Sequence, residues 1–206
     1  MNFLNLAVLA YLIGSISFAW LAVYWFGPRD PSGKRQDLRH IGSGNCGASN
    51  VMRHMGWYWF WAIVALDAGK VALSVWIAGK FGVTGLPGFM VGWVAVLGHC
   101  FPLYLMFKRG KGISCTLGLL LATGNYAVLA FALVAMAVTF WLSEKRISAA
   151  SLAGAASFLF TAPFLDAECS RGFVLLASLI IFAHRDNVVR LWKGTEEPLR
   201  QQDMPE

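Results

Sequence analysis

The residues able to do chemistry cluster in three short stretches of this 206-residue chain. The first is His40-Ile41-Gly42-Ser43-Gly44-Asn45-Cys46-Gly47-Ala48-Ser49-Asn50-Val51-Met52-Arg53. Glycines let the backbone turn its N–H groups toward a ligand, Ser49 or Asn50 can cap a following helix, and a helix N-terminus favours an anion. Such a stretch can cradle a phosphate, or it can be a flexible interfacial loop that ends in a capped helix. Gly42, Gly44 and Gly47 fit Gly-x-Gly-x-x-Gly, but the dinucleotide fingerprint needs a preceding hydrophobic strand. Lys34 to His40 is polar and basic, so nucleotide binding is set aside.

The second stretch is His99-Cys100-Phe101-Pro102 followed by Phe107-Lys108-Arg109-Gly110-Lys111-Gly112. Its cations beside glycines can clamp a phosphate with point charges and backbone donors together. It is not a Walker A loop, because Gly112 rather than Ser or Thr follows Lys111. Anchoring at a membrane edge accounts for the charges but not for the glycines. In the third stretch His184, Asn187 and Arg190 recur every three residues, so one helix face presents an imidazole, an amide and a guanidinium. A snorkelling membrane-edge helix is the alternative there. Asp67 and Lys70 stand at i and i+3 inside an apolar segment, where an ion is costly unless paired or lining a polar cavity. They read as a mutually neutralised pair, with a share in the site as the alternative, and His99 reads as a hydrogen-bonded packing residue. There is no Gly-x-Ser-x-Gly, no His-Glu-x-x-His and no carboxylate cluster, so neither serine nor metal hydrolysis is expected, and no metal or cofactor.

These stretches must be positioned by membrane elements. The chain is 57% hydrophobic and 14% charged with mean hydropathy +0.58, outside the range of a soluble domain. Apolar segments run over Phe3–Phe26, Trp57–Ile77, Leu86–Phe107, Ile113–Ala122, Tyr126–Leu142, Ser148–Leu165 and Gly172–His184. A crossing helix takes about 20 apolar residues, so the first three are full spans and the others are short, tilted or buried. Thr123-Gly124-Asn125 reads as a tight hairpin. The first segment reads as a retained span rather than a cleaved signal, because it lacks a basic n-region and is long. Of the 17 Lys and Arg, 14 fall in alternate connections: Arg29–Arg53, Lys108–Lys111, Lys145–Arg146 and Arg185–Arg200. By the positive-inside rule those connections are cytoplasmic, with the N-terminus outside and the C-terminus inside. The net charge of +6 thus reflects loops between spans and not a nucleic-acid surface. The expectation is an all-α polytopic membrane protein of about seven transmembrane helices. Residues 1–198 would form one membrane-embedded domain and 199–206 a tail. Cys46, Cys100, Cys115 and Cys169 lack zinc or disulfide spacing.

In sequence the chain resembles the PlsY family of bacterial acyl-phosphate:glycerol 3-phosphate acyltransferases over nearly its whole length. The resemblance rests on Gly14-Ser15-Ile16-Ser17-Phe18-Ala19, on Gly42 to Asn50 with Arg53, and on Asp67 with Lys70. It continues through Gly98 to Pro102 with Phe107 to Gly112, and His184 to Asn187 with Arg190-Leu191 and Gly194-Thr195-Glu196. It implies transfer of an acyl group from acyl phosphate to the 1-hydroxyl of glycerol 3-phosphate in the bacterial inner membrane, among membrane lipids. It also implies that Ser43 and Arg53 belong to a first essential motif and His184 and Asn187 to a catalytic third. Phosphate binding would fall to Gly42, Gly44, Asn45, Gly47, Ser49, Asn50, Lys108, Gly110, Lys111 and Gly112. Asp67, Lys70, His99 and Glu196 would support them. Arg109 departs most from the pattern, standing where a second glycine is usual. Two other readings are a transporter for an anionic phosphate compound and a diverged member of the family using another acyl donor.

Overall fold

The computed structural model describes residues 1–106 and 110–199, and among them every regular element is helical; the one β-bridge joins Arg29 and Arg35. Each apolar segment becomes helix. The first is split into α1 (Phe3–Ser15) and α2 (Phe18–Phe26), a break that the unbroken hydropathy conceals. Ser17 starts α2 by accepting from the Trp20 N–H at 3.2 Å, and the released Ile16 carbonyl accepts from Lys70 Nζ at 2.7 Å. α3 (Ala48–Met55) is the helix expected to follow the first glycine-rich stretch. The expected capping by Ser49 or Asn50 is corrected: Gly47 is the N-cap without a side-chain bond, and both residues lie in the first turn.

α4 (Trp57–Lys80) and α5 (Gly85–Cys100) follow. α5 stops short of the expected Phe107 because Pro102 disfavours helical backbone at Phe101, which sits at φ −131°, ψ 68°; Phe107 itself lies outside the described residues. α6 (Ile113–Ala122) and α7 (Tyr126–Leu142) are separated by the expected hairpin, with Gly124 at φ +74°. α8 (Ile147–Leu165), α9 (Ser170–Ala183) and α10 (Arg185–Trp192) complete the fold, with a 63° bend between α9 and α10 at His184. Among the described residues four segments are long and apolar enough to cross a membrane, Ile147–Leu165 joining the expected three, and the bent α9–α10 pair makes a fifth if it is one span. α6 and α7 are shorter, at 10 and 17 residues.

Small residues let the helices close on one another. A Cβ at Gly14 would collide with the Ala95 carbonyl, and one at Gly118 with the carbonyl of Ala68, so α1 meets α5 and α4 meets α6 at backbone distance. The larger core gathers Phe89, Leu119, Phe173 and Leu176; a smaller one gathers Val23, Leu38, Val51 and Ile63 around α3. Leu4, Tyr58, Leu73, Phe131, Val138, Phe160 and Phe164 stay exposed, an apolar girdle suited to lipid rather than water. The connections sort to two ends. Leu86 N–H donates to Glu168 Oε1 at 3.0 Å across one end, while the basic stretches meet at the other.

Candidate active site

The first motif is a loop folded around one amide. Gly42 and Gly44 hold φ of +54° and +67°, which reverses the chain between Ile41 and Asn45. Asn50 Nδ2 donates to the carbonyls of Ile41 and Asn45, each at 3.1 Å, and its Oδ1 accepts from the Ser43 N–H at 3.2 Å. The side chain is buried, so these bonds fasten the loop to α3. Asn45 Nδ2 donates to Ser43 Oγ at 3.3 Å. Arg53, in the last turn of α3, has a buried Nε with no hydrogen-bond partner among the described residues. A guanidinium in that state is suited to an anion.

Behind the second motif lies a buried charged group. Lys70 Nζ donates to Asp67 Oδ1 at 2.7 Å and lies 3.0 Å from His99 Nδ1. With the Ile16 bond, one ammonium ties together the broken first segment, α4 and α5. Gly110 leans on this group: its N–H donates to the His99 carbonyl at 3.3 Å, and a Cβ there would run into the His99 ring. Lys111 follows at once. Cys115 Sγ lies close enough to Asp67 and His99 to suggest a metal-ligand trio. The Lys70 ammonium already occupies both the carboxylate and the imidazole, so a divalent cation would be repelled there.

The third motif hangs on Glu196. Ser148 Oγ and Asn187 Nδ2 donate to its Oε1 at 2.6 and 2.7 Å, and Arg190 Nε donates to Oε2 at 2.6 Å. Arg146 Nε holds the Glu196 carbonyl at 3.0 Å. Burial raises the carboxyl's pKa, but the bonds from Ser148, Asn187 and Arg190 outweigh it and hold Glu196 below its ordinary range. His184 sits at the α9–α10 bend with Nδ1 2.8 Å from the Ile180 carbonyl. A carbonyl can only accept, so Nδ1 carries the proton and the neutral ring keeps Nε2 as its acceptor.

All three motifs face one cavity of about 1040 Å³, above the usual range of about 300–1,000 Å³ for a single small-molecule pocket. Its polar wall includes Gly42, Ser43, Gly44, Asn45, Gly47, Ser49, Asn50 and Arg53 from the first motif. Lys111 and Gly112 come from the second, and His184, Asn187, Arg190 and Glu196 from the third. Asp67 and His99 reach the wall, whereas Lys70 and Gly110 stand behind it. Lys108, like Arg109, lies outside the described residues. Burial, helped by Arg190 and Arg53, brings the Lys111 ammonium down to about 8. Apart from polar residues such as Ser114, Thr116, Ser148 and Ser151, the remaining wall is mostly apolar, from Phe60, Trp61 and Val64 of α4 to Leu120, Leu133 and Phe158 of α6, α7 and α8. Sequence reasoning passed over Ser148, Ser151, Thr116 and Arg146; single polar residues at the edges of apolar segments carry no local signal, and only the fold brings them to Glu196 and the cavity.

A sequence profile of the glycerol-3-phosphate acyltransferases matches residues 4–194. A glycerol-3-phosphate acyltransferase of Thermoanaerobacter pseudethanolicus is 36% identical over 198 residues, covering 95% of this chain and 94% of the relative. One from Pseudomonas paraeruginosa is 38% identical over 195 residues, covering 93% and 96%. Among solved structures, the integral membrane acyltransferase PlsY in its glycerol 3-phosphate form superposes with TM-score 0.82 at 32% identity over 96% of both chains. Its lysophosphatidic acid form gives 0.79 at 30%, covering 98% of this chain and 97% of that one. Fold and sequence agree along the chain, and it belongs to the PlsY family of glycerol-3-phosphate acyltransferases.

Proposed function

We propose that this protein transfers a fatty acyl group from acyl phosphate to the 1-hydroxyl of glycerol 3-phosphate, giving 1-acylglycerol 3-phosphate and inorganic phosphate. That is the first acylation of phospholipid synthesis. The observation that carries the reading is a single cavity that gathers Arg53, Lys111 and Arg190 with the Gly42–Asn45 loop and continues along mostly apolar walls. Two phosphates and one acyl chain would fill it. Glycerol 3-phosphate and lysophosphatidic acid, bound by PlsY structures of the same fold, support the acceptor and the product.

In this mechanism Lys111 and Arg190 hold the phosphate of glycerol 3-phosphate, with Lys108 and Gly112, while Gly110, its N–H given to the His99 carbonyl, braces the loop. Arg53, Ser43, Asn45 and the N–H groups around Gly42, Gly44 and Gly47 hold the donor phosphate, and Ser49 adds a hydroxyl. Asn50 serves as the loop's brace, because its amide is engaged by Ser43, Ile41 and Asn45. The 1-hydroxyl oxygen attacks the acyl carbon, the bond from that carbon to the phosphate oxygen breaks, and phosphate leaves with the electron pair. His184 Nε2 accepts the hydroxyl hydrogen bond and Asn187 steadies the developing oxyanion. The proton passes finally to a phosphate oxygen, so no cofactor is needed. Most of the rate comes from fixed charges and orientation. Asp67, Lys70 and His99 keep the second motif in place, and Glu196 the third.

The placement proposed is a bacterial inner membrane, with seven helices crossing or entering it, the N-terminus outside and the C-terminus cytoplasmic. Three of the four basic connections place a cation on one cavity, and Arg146 of the fourth holds the Glu196 carbonyl beside it, which supports that alternation. Residues 1–198 act as one domain. The test is transfer by Ser43→Ala, Arg53→Ala, His184→Ala and Asn187→Ala, each purified folded from membranes. Each should lose about a hundredfold or more in kcat/KM; near-normal rates in two of the four would overturn the site.

A further inference from the structure

Away from its charged end the cavity continues as an apolar arm between α6, α7, α8 and α9, and that arm has a floor. Along α8, Ser148 and Ser151 stand at the charged end and Gly154 and Ala155 one turn deeper. Phe158 lies another turn on, about 15 Å from Ser148 along the axis. Among the described residues nothing on α8 beyond Phe158 lines the cavity, and Leu120 and Leu129 are the deepest residues on α6 and α7. Phe158 is 3% exposed. Its ring meets Phe173 at 5.6 Å between centroids, and Phe173 meets Phe89 at 4.8 Å. A floor braced by an aromatic core cannot swing aside without opening a void. Gly154 lets α8 pack closely on α7 above it, since a Cβ there would lie 2.6 Å from Met136 Cγ.

Building on the reading that the arm takes the acyl chain, we propose that Phe158 sets the longest chain this protein transfers efficiently, as a stop at the end of the arm. Each methylene up to the floor finds a buried place as apolar as the lipid it leaves, so kcat/KM should change little with chain length there. The first methylene past the floor finds none, and the surplus chain must buckle or leave toward lipid past Leu133. The profile of rate against chain length should therefore break at one length.

The experiment offers saturated acyl phosphates from decanoyl to octadecanoyl together in one pot with glycerol 3-phosphate, and reads the lysophosphatidic acids by mass spectrometry. Ratios within one pot are independent of the fraction of folded enzyme. Phe158→Ala should move the break to longer chains, so that chains just past the original break are transferred as fast as those before it; Phe158→Trp should move it to shorter ones. Unchanged ratios in both variants, with the unsubstituted protein active, would overturn the assignment of Phe158 and leave the reaction standing. An unsubstituted protein that transfers no chain of any length would instead overturn the acyltransferase reading on which it rests.

Discussion

Glu196 organises the third motif because a carboxylate can only accept, and here it takes bonds from Ser148 on α8 and from Asn187 and Arg190 on α10. Glu196→Gln turns an amide N–H toward one of those donors and leaves it unpaired, at a cost of about 1–3 kcal/mol. Thermal unfolding in detergent should show that loss, and kcat should fall as Asn187 loses its anchor; a variant as stable and active as the parent would contradict this role. Lys111 carries a second prediction. Its free-state pKa of about 8 lies below the usual lysine range, and a bound phosphate favours the charged form. The charge is therefore present below about 8 and lost above it, so the KM for glycerol 3-phosphate should climb by up to about tenfold per pH unit beyond that point. Lys111→Arg should flatten the climb, and an equal climb in both proteins would contradict the assignment. The types of these residues were legible in the sequence, and the resemblance named Glu196 as a support. Its partner Ser148 was not legible, because a lone serine at the mouth of an apolar segment looks like any other.

Elements place these residues through contacts that local sequence does not encode. His99 read as a packing histidine, and it does pack, but against Gly110, eleven positions along the chain. Gly110→Ala should press on the His99 ring, shift Lys111 and raise the KM for glycerol 3-phosphate by about tenfold. Adding His99→Ala removes the obstacle and should recover much of that loss, while a double variant as impaired as the sum of the two would contradict the contact. Gly118 illustrates the same dependence at a helix crossing. Gly118→Val would force α6 from the Ala68 carbonyl of α4 and should cost about 1–3 kcal/mol or more by overpacking, seen as lost yield and a lower unfolding temperature. The Thr123–Asn125 hairpin was plain from its turn residues, whereas the break at Ile16 and Ser17 was hidden. Hydropathy is continuous across it, and what stabilises it is the Lys70 ammonium from another helix.

For the whole molecule, the count of basic residues gave alternating ends, and the fold brings cations of three of the four basic connections to one cavity. Cysteines introduced at Ser32 and Glu144, both exposed, should label with an impermeant maleimide only from the cytoplasmic side, and one at Lys80 only from the outside. The reverse pattern would contradict the proposed orientation. The four native cysteines are free and buried, which keeps the background low. A transporter would need its polar groups near the middle of the bilayer; here they crowd one end, with an apolar arm beneath. That arrangement suits a water-soluble acceptor meeting a lipid-soluble donor. The most direct measurement is phosphate release by the purified protein given palmitoyl phosphate, with and without glycerol 3-phosphate, and with palmitoyl-CoA as the rival donor. Release from palmitoyl phosphate that requires glycerol 3-phosphate, with no transfer from palmitoyl-CoA, is the result this account predicts. Transfer from palmitoyl-CoA alone, or no release by well-folded protein, would contradict it.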